Sequence, residues 1–153
     1  MKKVIYLLPL VALLFVFAAN PKVKEKQKAD GIEFFHGKWN DAVTTATKED
    51  KLMFIDVYTT WCGPCKALKA RTFPDKELGN YFNEHFTSVA MDAERGEGVL
   101  FAQKYNVGAY PTMIILDSKG RVISTILGYK TPEQLLQFGK AAVAKYNKEY
   151  KKG

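Results

Sequence analysis

The sequence contains very few cysteines and histidines, and this scarcity argues against several kinds of site. Of its 153 residues only two are cysteine, Cys62 and Cys65, and only two are histidine, His36 and His85. Both cysteines lie in one short stretch, so the monomer has none left for a separate structural disulfide. A zinc site needs about four ligands, and covalent haem attachment needs a histidine directly after the second cysteine, where this chain has Lys66. We therefore expect neither a metal nor a haem cofactor.

The chain also lacks internal repeats, low-complexity tracts and motifs that bind nucleotides or nucleic acids. Its formal charge of +7 comes largely from lysines near the two ends of the chain: Lys22, Lys24, Lys26, Lys28, Lys145, Lys148, Lys151 and Lys152. Basic ends can contact nucleic acid or an anionic membrane, but without a nucleic-acid motif we interpret them as solvated tails. With 47% hydrophobic residues, the chain is long enough for one ordinary domain, and we expect a monomer.

The first 19 residues have the pattern of an export signal. Lys2 and Lys3 precede an apolar run from Val4 to Ala19, and we expect cleavage after Ala18. The run is short for a membrane span, which needs about 20 residues, but an uncleaved N-terminal membrane anchor is the alternative. No cysteine lies near residue 20, which argues against a lipid anchor. The sequence thus predicts a signal peptide or anchor over residues 1–19, a lysine-rich linker over 20–30 and a domain over 31–153, exported to a bacterial periplasm or cell envelope.

The two cysteines fall where a predicted strand gives way to a predicted helix. Leu52–Ile55 is apolar and partly β-branched, as in a buried strand, whereas Lys66–Arg71 consists almost wholly of good helix formers. Backbone N–H groups and the positive end of the helix dipole would stabilise a thiolate there and lower the pKa of Cys62. We therefore predict that Cys62 is the more exposed, nucleophilic cysteine and that Cys65, one turn later, is the resolving one.

The residues between the cysteines also suit exchange between a dithiol and a disulfide. Gly63 leaves the approach to the sulfurs unobstructed, and Pro64 in the first helical turn costs no hydrogen bond. A static structural disulfide is the alternative, but a disulfide across so short a loop constrains the unfolded chain little. The pattern favours a redox-active pair.

Three separate segments resemble the thioredoxin family. The run Trp61-Cys62-Gly63-Pro64-Cys65-Lys66 resembles the active-site motif of that family. Asp56 stands at the place of the family's buried acid, six residues before the first cysteine. Tyr110-Pro111-Thr112 resembles the cis-proline loop that faces the cysteines across the fold. The resemblance extends from about Ile32 to the C-terminus.

This resemblance implies roles for the matching residues. Asp56 would accept the proton of Cys65 from a buried position with a raised pKa; the alternative is that it caps a turn or faces water. The family often places a lysine near this acid, in the next long strand, where this chain has Ala90, so we expect Asp56 to be tuned differently. Trp61 would pack on the surface beside the cysteines. Residues expected to meet the substrate are Trp61, Gly63, Pro64, Tyr110, Pro111 and Thr112.

The loop at Pro111 carries a further expectation. A cis peptide bond before Pro111 would leave backbone groups of Tyr110 and Thr112 free to pair with an extended substrate segment. Because cis bonds make up only about 5–6% of bonds before proline, the cis assignment comes from the resemblance. The alternative is an ordinary proline at the start of a strand.

The remaining pattern predicts an α/β fold with a mixed central sheet flanked by helices, as in a thioredoxin fold. We expect a strand over Ile32–Phe35, a helix over Trp39–Lys48, the central strand, and the active-site helix ending near Thr72. A helix capped by Asp75 then ends near His85, and a strand covers Thr87–Met91. Further predictions are a helix over Val99–Tyr105, an antiparallel hairpin of Thr112–Leu116 with Val122–Leu127, and a final helix capped by Thr131 with Pro132 in its first position.

A narrower resemblance comes from the segment after the active-site helix. A helix, the run Thr72-Phe73-Pro74-Asp75 and a second helix resemble exported thioredoxin-like domains, including the C-terminal domain of the membrane thiol:disulfide interchange protein. The expected function is therefore an exported thiol–disulfide oxidoreductase. Gly63-Pro64 resembles the reducing members, so we expect a reductase of protein disulfides supplied with electrons by a membrane donor. The alternatives are an oxidase or isomerase on the same fold, or a non-catalytic module that binds partner proteins.

Overall fold

The computed structural model describes residues 30–151. The predicted signal or anchor and almost all of the predicted linker lie outside the described residues. In chain order the elements are α1 (Trp39–Lys48), β1 (Leu52–Tyr58), α2 (Gly63–Ala67), α3 (Lys76–His85), β2 (Phe86–Asp92), α4 (Glu97–Lys104), β3 (Thr112–Leu116), β4 (Val122–Leu127) and α5 (Pro132–Glu149). Within residues 30–151, no helix is long and apolar enough to cross a membrane.

The four strands form one mixed sheet in the order β2-β1-β3-β4. β1 pairs parallel with β2 and antiparallel with β3, and β3 pairs antiparallel with β4. This is the thioredoxin fold that the sequence predicts. The hairpin of β3 and β4, both of its strand boundaries and the cap at Thr131 are confirmed. The side chain of Gln134 completes a capping box there by accepting from the amide of Thr131 at 3.0 Å.

β1 separates two apolar layers, because alternate side chains of a strand point to opposite faces of the sheet. Leu52 and Phe54 pack with residues of α3 and α5 on one face, whereas Met53, Ile55 and Val57 pack with residues of α1 and α4 on the other. A strand buried on both faces has no solvent side on which to place a polar residue. Asp56, which is the acidic residue of β1, is therefore buried.

The predicted first strand over Ile32–Phe35 is wrong. That segment makes a single parallel bridge, Phe34 to Ser88, and the amide of Ile32 donates instead to the carbonyl of Phe73 at 2.8 Å. The side chain of Asn83 replaces further strand pairing, since its Oδ1 accepts from the amide of Glu33 at 2.8 Å and its Nδ2 donates to the carbonyl of Gly31 at 3.0 Å. We call residues 30–36 the N-terminal segment.

The active-site helix ends at Thr72 as predicted, but its last part is wider than an α-helix. After α2 the chain continues as a π-helical turn over Leu68–Thr72, closed by the amide of Phe73 donating to the carbonyl of Leu68 at 2.9 Å. The helix propensities of these residues do not distinguish a π-helical turn from an α-helical one. Asp75 then caps α3 as predicted, accepting from the amide of Leu78 at 2.9 Å.

We predict that Gly79→Ala destabilises the protein, although alanine is the better helix former. Gly79 lies in α3 against the backbone of Gly31, which a Cβ would overlap, so α3 and the N-terminal segment would have to separate. We expect a loss of about 1–3 kcal/mol, measured by denaturant unfolding of the oxidised protein. Gly63→Ala in α2 is the control, because a Cβ there meets nothing within 4 Å; equal stability of the two variants would contradict the close approach.

Candidate active site

Cys62 and Cys65 form a disulfide at the junction between β1 and α2. Cys62 is the N-cap of α2, and its Sγ accepts a hydrogen bond from the amide of Cys65 at 3.2 Å. Pro64 lies in the first turn of the helix, where its missing N–H costs nothing. The predicted placement of Cys62 at a helix N-terminus, where N–H groups stabilise a thiolate, is confirmed.

The prediction that Cys62 is the more exposed cysteine is wrong for this disulfide form. Cys62 is 3% exposed and Cys65 is 6% exposed, so both sulfurs are nearly covered. The position of a residue at a helix end does not show how much of its side chain neighbouring loops cover. The open side is at Gly63, where a Cβ would meet no atom within 4 Å.

Trp61 and Tyr110 form an aromatic surface beside the disulfide. Trp61 is 65% exposed, and its ring meets that of Tyr110 edge to face with 6.1 Å between the centroids. The indole N–H of Trp61 donates to Oε1 of Glu94 at 3.0 Å. The predicted surface position of Trp61 is confirmed. Glu94, which orients it, was not predicted, because it lies 33 residues away in a charged loop.

The peptide bond between Tyr110 and Pro111 is cis, as the resemblance implies. The carbonyl of Pro111 accepts from the amide of Gly128 at 2.8 Å. Thr112 is aligned with Val57 on one side and with Leu127 on the other, so it lies inside the sheet. We therefore expect the backbone of Tyr110, which precedes β3, to be the part of this loop that a substrate segment meets.

Asp56 is buried on β1 and lines the same groove as Cys65. Its side chain is 5% exposed, and its Oδ1 has no hydrogen-bond partner among the described residues. Burial without a partner disfavours the charged carboxylate and raises the pKa of Asp56 from 3.8 to about 7, while the positive charge of Lys69 acts in the opposite direction. The predicted burial and raised pKa are confirmed, and the alternatives of a turn cap or a solvent-facing acid are wrong. Its role as proton acceptor stays a prediction.

A groove of about 790 Å³ leads to Asp56 and Cys65. Its walls are the N-terminal segment, the end of β1, one face of the active-site helix and Ala90 of β2. Asp56 and Ala90 are aligned partners in the parallel ladder, so Ala90 does occupy the position nearest the acid on that strand. Cys65 lines this groove and Cys62 does not.

Lys69 is the functional candidate that sequence reasoning missed. It lines the groove together with Cys65 and Asp56, and its ammonium lies 5.8 Å from the centroid of the Tyr58 ring. The available signal was its spacing of four residues from Cys65, which places two residues on one face of a helix. Within residues 30–151 no group of three or more His, Cys, Asp and Glu side chains is arranged to hold a metal ion.

The fold occurs in known proteins. A family model described as a thioredoxin-like domain matches residues 39–142. Thioredoxin from Echinococcus granulosus is 38% identical over 88 residues, which cover 58% of this chain and 76% of that protein. A solution structure of a candidate disulphide isomerase from Bacteroides thetaiotaomicron is 44% identical, with a TM-score of 0.67, and the match covers 75% of this chain and 95% of that one.

The narrower resemblance is also found among solved structures. The C-terminal domain of DsbD from Neisseria meningitidis, in its reduced form, has a TM-score of 0.57 at 24% identity. The match covers 67% of this chain and 92% of that domain. At this identity the likeness concerns the fold.

We predict that Asp56→Asn makes the oxidised protein more stable than the natural chain at alkaline pH. The pKa of Asp56 is raised to about 7 in the folded protein, so its contribution to stability is fully present below about pH 4 and is lost as the pH rises through 7. An amide stays neutral throughout. Relative to the variant, the natural chain should lose up to about 4 kcal/mol between pH 4 and pH 8.

The measurement is denaturant unfolding of both oxidised proteins across this pH range. Asp41→Asn, which removes an exposed carboxyl from α1, is the control for the loss of one negative charge. A difference between the natural chain and Asp56→Asn that stays constant with pH would show that Asp56 does not titrate as a buried acid.

Proposed function

The chain belongs to the thioredoxin-like family and is a thiol–disulfide oxidoreductase, and from this premise we propose that it is an exported reductase of protein disulfides. The observation that carries the proposal is the Cys62–Cys65 disulfide at a helix N-terminus. The ring of Trp61, the residue before Cys62, meets the ring of Tyr110, which precedes the cis bond to Pro111, and the buried Asp56 lines one groove with Cys65. These contacts support the proposal that Cys62 is the nucleophile, that the loop before Pro111 binds the substrate backbone and that Asp56 accepts a proton.

The first step is attack by the reduced protein on a substrate disulfide. The Cys62 thiolate, stabilised by the N–H groups of α2, attacks one sulfur of the substrate. A bond forms between Cys62 Sγ and that sulfur, the substrate's own S–S bond breaks, and the second substrate sulfur leaves as a thiolate that takes a proton from solvent. The product is a mixed disulfide through Cys62.

The second step resolves the mixed disulfide. Cys65 gives its proton to the Asp56 carboxylate, and the resulting thiolate attacks Cys62 Sγ. The Cys62–Cys65 bond forms, the bond between Cys62 and the substrate breaks, and the substrate leaves as its second thiolate. Two electrons have passed from the protein to the substrate, so a protein dithiol must reduce the pair again; we assign this part to a membrane donor.

The surface beside the sulfurs suits an extended polypeptide. The exposed ring of Trp61 and the ring of Tyr110 offer apolar contact area, and the loop before Pro111 offers backbone groups. An extended segment that lies along this loop would bring its disulfide over Gly63, which is the open side of the site. Positioning of this kind accounts for a large part of the rate that enzymes gain.

A disulfide isomerase or oxidase is the second candidate, since the 44% identical structure from Bacteroides thetaiotaomicron is described as a candidate disulphide isomerase. The Gly63-Pro64 pair and the relatives named thioredoxin favour reduction. The intact, disulfide-forming pair argues against the non-catalytic binding module.

We predict that the reduction potential of the Cys62–Cys65 pair is about −230 mV or lower, as for reducing members of the family. Equilibration of the purified protein with thiol buffers of defined potential measures it. A value between about −180 and −120 mV would reject the reductase in favour of the isomerase or oxidase.

We further predict that Cys65→Ser accumulates a mixed disulfide with a disulfide-containing protein substrate. The variant retains the attacking thiol and lacks the resolving one, so the first step proceeds and the second stops. Mass spectrometry under non-reducing conditions detects the adduct. Cys62→Ser is the matched control and should form no adduct through the motif; reduction of the substrate by the double serine variant would contradict the mechanism.

Export is a separate part of the proposal, supported by the basic residues Lys2 and Lys3 and the apolar run to Ala19. Cell fractionation and N-terminal mass analysis test it. We expect a chain that starts after Ala18 in the cell envelope fraction, whereas an intact N-terminus in the membrane fraction would indicate an anchor. Recovery of the full chain in the cytoplasm would contradict export.

A further inference from the structure

The environment of Asp56 lacks the contacts that usually accompany a buried acid. Its Oδ1 has no hydrogen-bond partner among residues 30–151. Its aligned partner on β2 is Ala90, a residue without charge or hydrogen-bonding atoms in its side chain. A buried carboxylate without a partner is strongly disfavoured. Any charge that lets Asp56 ionise near neutral pH therefore has to come from another element.

Lys69 is placed to supply that charge. It lies one helical turn beyond Cys65 and lines the same groove as Cys65 and Asp56. The ring of Tyr58, at the end of β1, lies 5.8 Å from its ammonium, a distance at which an aromatic face attracts a cation. None of the ion pairs among residues 30–151 involves Lys69. Its charge is thus not neutralised by another carboxylate in direct contact.

We propose that Lys69 is a positioning residue for the resolving step, holding a positive charge over the groove so that Asp56 can take up and release the proton of Cys65 near neutral pH. The inference rests on the proposed function, because it concerns the acceptor of the Cys65 proton. In this proposal the positive charge near Asp56 comes from Lys69 on the active-site helix, because β2 has the uncharged Ala90 at the aligned position.

The direction in which Lys69 shifts the pKa of Asp56 follows from the positive charge of the lysine. Burial favours the neutral carboxyl of Asp56, and the ammonium of Lys69 favours the carboxylate, so Lys69 keeps the pKa of Asp56 lower than burial alone would set it. General bases work best when their pKa lies near the working pH. Loss of Lys69 should therefore leave less carboxylate at pH 7 and slow the step in which Cys65 loses its proton.

Other titratable groups also border the groove and enter the design of the test. They come from the N-terminal segment, β1 and the active-site helix: Glu33, His36, Tyr58, Cys65, Lys66 and Lys69. β2 contributes Ala90 to the lining. Lys66 is the useful comparison, because both lysines are exposed on the same helix and line the same groove. Of the two, Lys69 is the one whose charge lowers the pKa of Asp56.

The test is a titration of Asp56 in the purified oxidised protein, followed by NMR of its carboxyl carbon. We expect Lys69→Met to shift the titration upward by about half a pH unit or more, with Lys69→Arg restoring the natural value. Lys66→Met is the matched control and should leave the midpoint in place. Repeating the series in a His36→Gln background removes the imidazole from the groove wall, so that its titration is not mistaken for that of Asp56.

A second-site variant tests whether charge, and not packing, is the cause. Ala90 is exposed on β2 and borders the groove next to Asp56. We expect Lys69→Met combined with Ala90→Lys to bring the titration of Asp56 back towards its natural midpoint. An unchanged midpoint in Lys69→Met, or an equal shift in Lys66→Met, would overturn the inference.

Kinetics connect the titration with the proposed function. The rate at which Cys65 releases substrate from a preformed mixed disulfide should move to higher pH in Lys69→Met by the same amount as the titration of Asp56. The titration needs no catalytic turnover, so an unchanged midpoint in Lys69→Met would refute the role of Lys69 alone. Absence of disulfide exchange in the natural protein would instead refute the proposed function and leave the titration result standing.

Discussion

The burial of one carboxyl group on the central strand is the constraint on which the rest of the site depends. β1 is covered on both faces, and Asp56 is the acidic residue within it. Desolvation raises its pKa to about 7, which costs folding stability at neutral pH but produces an acid–base group there. This unfavourable burial gives importance to the groove that leads to Asp56. Ala90 and Lys69 both line that groove. Active sites often retain destabilising features of this kind.

Two surfaces that differ in chemistry adjoin the disulfide. On one side Trp61, Tyr110 and the cis-proline loop provide an apolar surface with backbone groups at its edge, as suits a polypeptide. On the other side the groove brings Asp56 and Lys69 to Cys65. Under the proposed function, the substrate would meet Cys62 at the aromatic surface while the proton of Cys65 leaves through the groove, so that binding and proton transfer would not compete for space.

The elements that carry these groups are held by contacts distant in sequence. Asn83 on α3 fixes the N-terminal segment that forms one groove wall. Glu94, in the loop after β2, orients Trp61. Thr72, at the end of the π-helical turn, donates to the carbonyl of Lys130 at 2.6 Å and ties the active-site helix to the loop before α5. Rigid support of this kind keeps the reacting groups within the small tolerances that catalysis requires.

Local signals in the sequence determined most of the fold and the centre of the site. The apolar run before the motif, the cap at Asp75, the capping box at Thr131 and the short hairpin loop each depend on residues a few positions apart, and the structure has them all. The cysteine pair was identified from its motif at a strand-to-helix junction, whereas Asp56 and Pro111 were assigned through the resemblance to the thioredoxin family.

Tertiary structure alone decided the properties that depend on groups far apart in the chain. The sequence placed a strand at Ile32–Phe35, where the side chain of Asn83 takes over the hydrogen bonds that strand pairing would supply. It predicted an exposed Cys62, yet burial depends on which loops close over a helix end. The role proposed for Lys69 depends on folding, which brings the helix, β1 and β2 around one groove. Electrostatic effects are set by distance and solvent access in three dimensions.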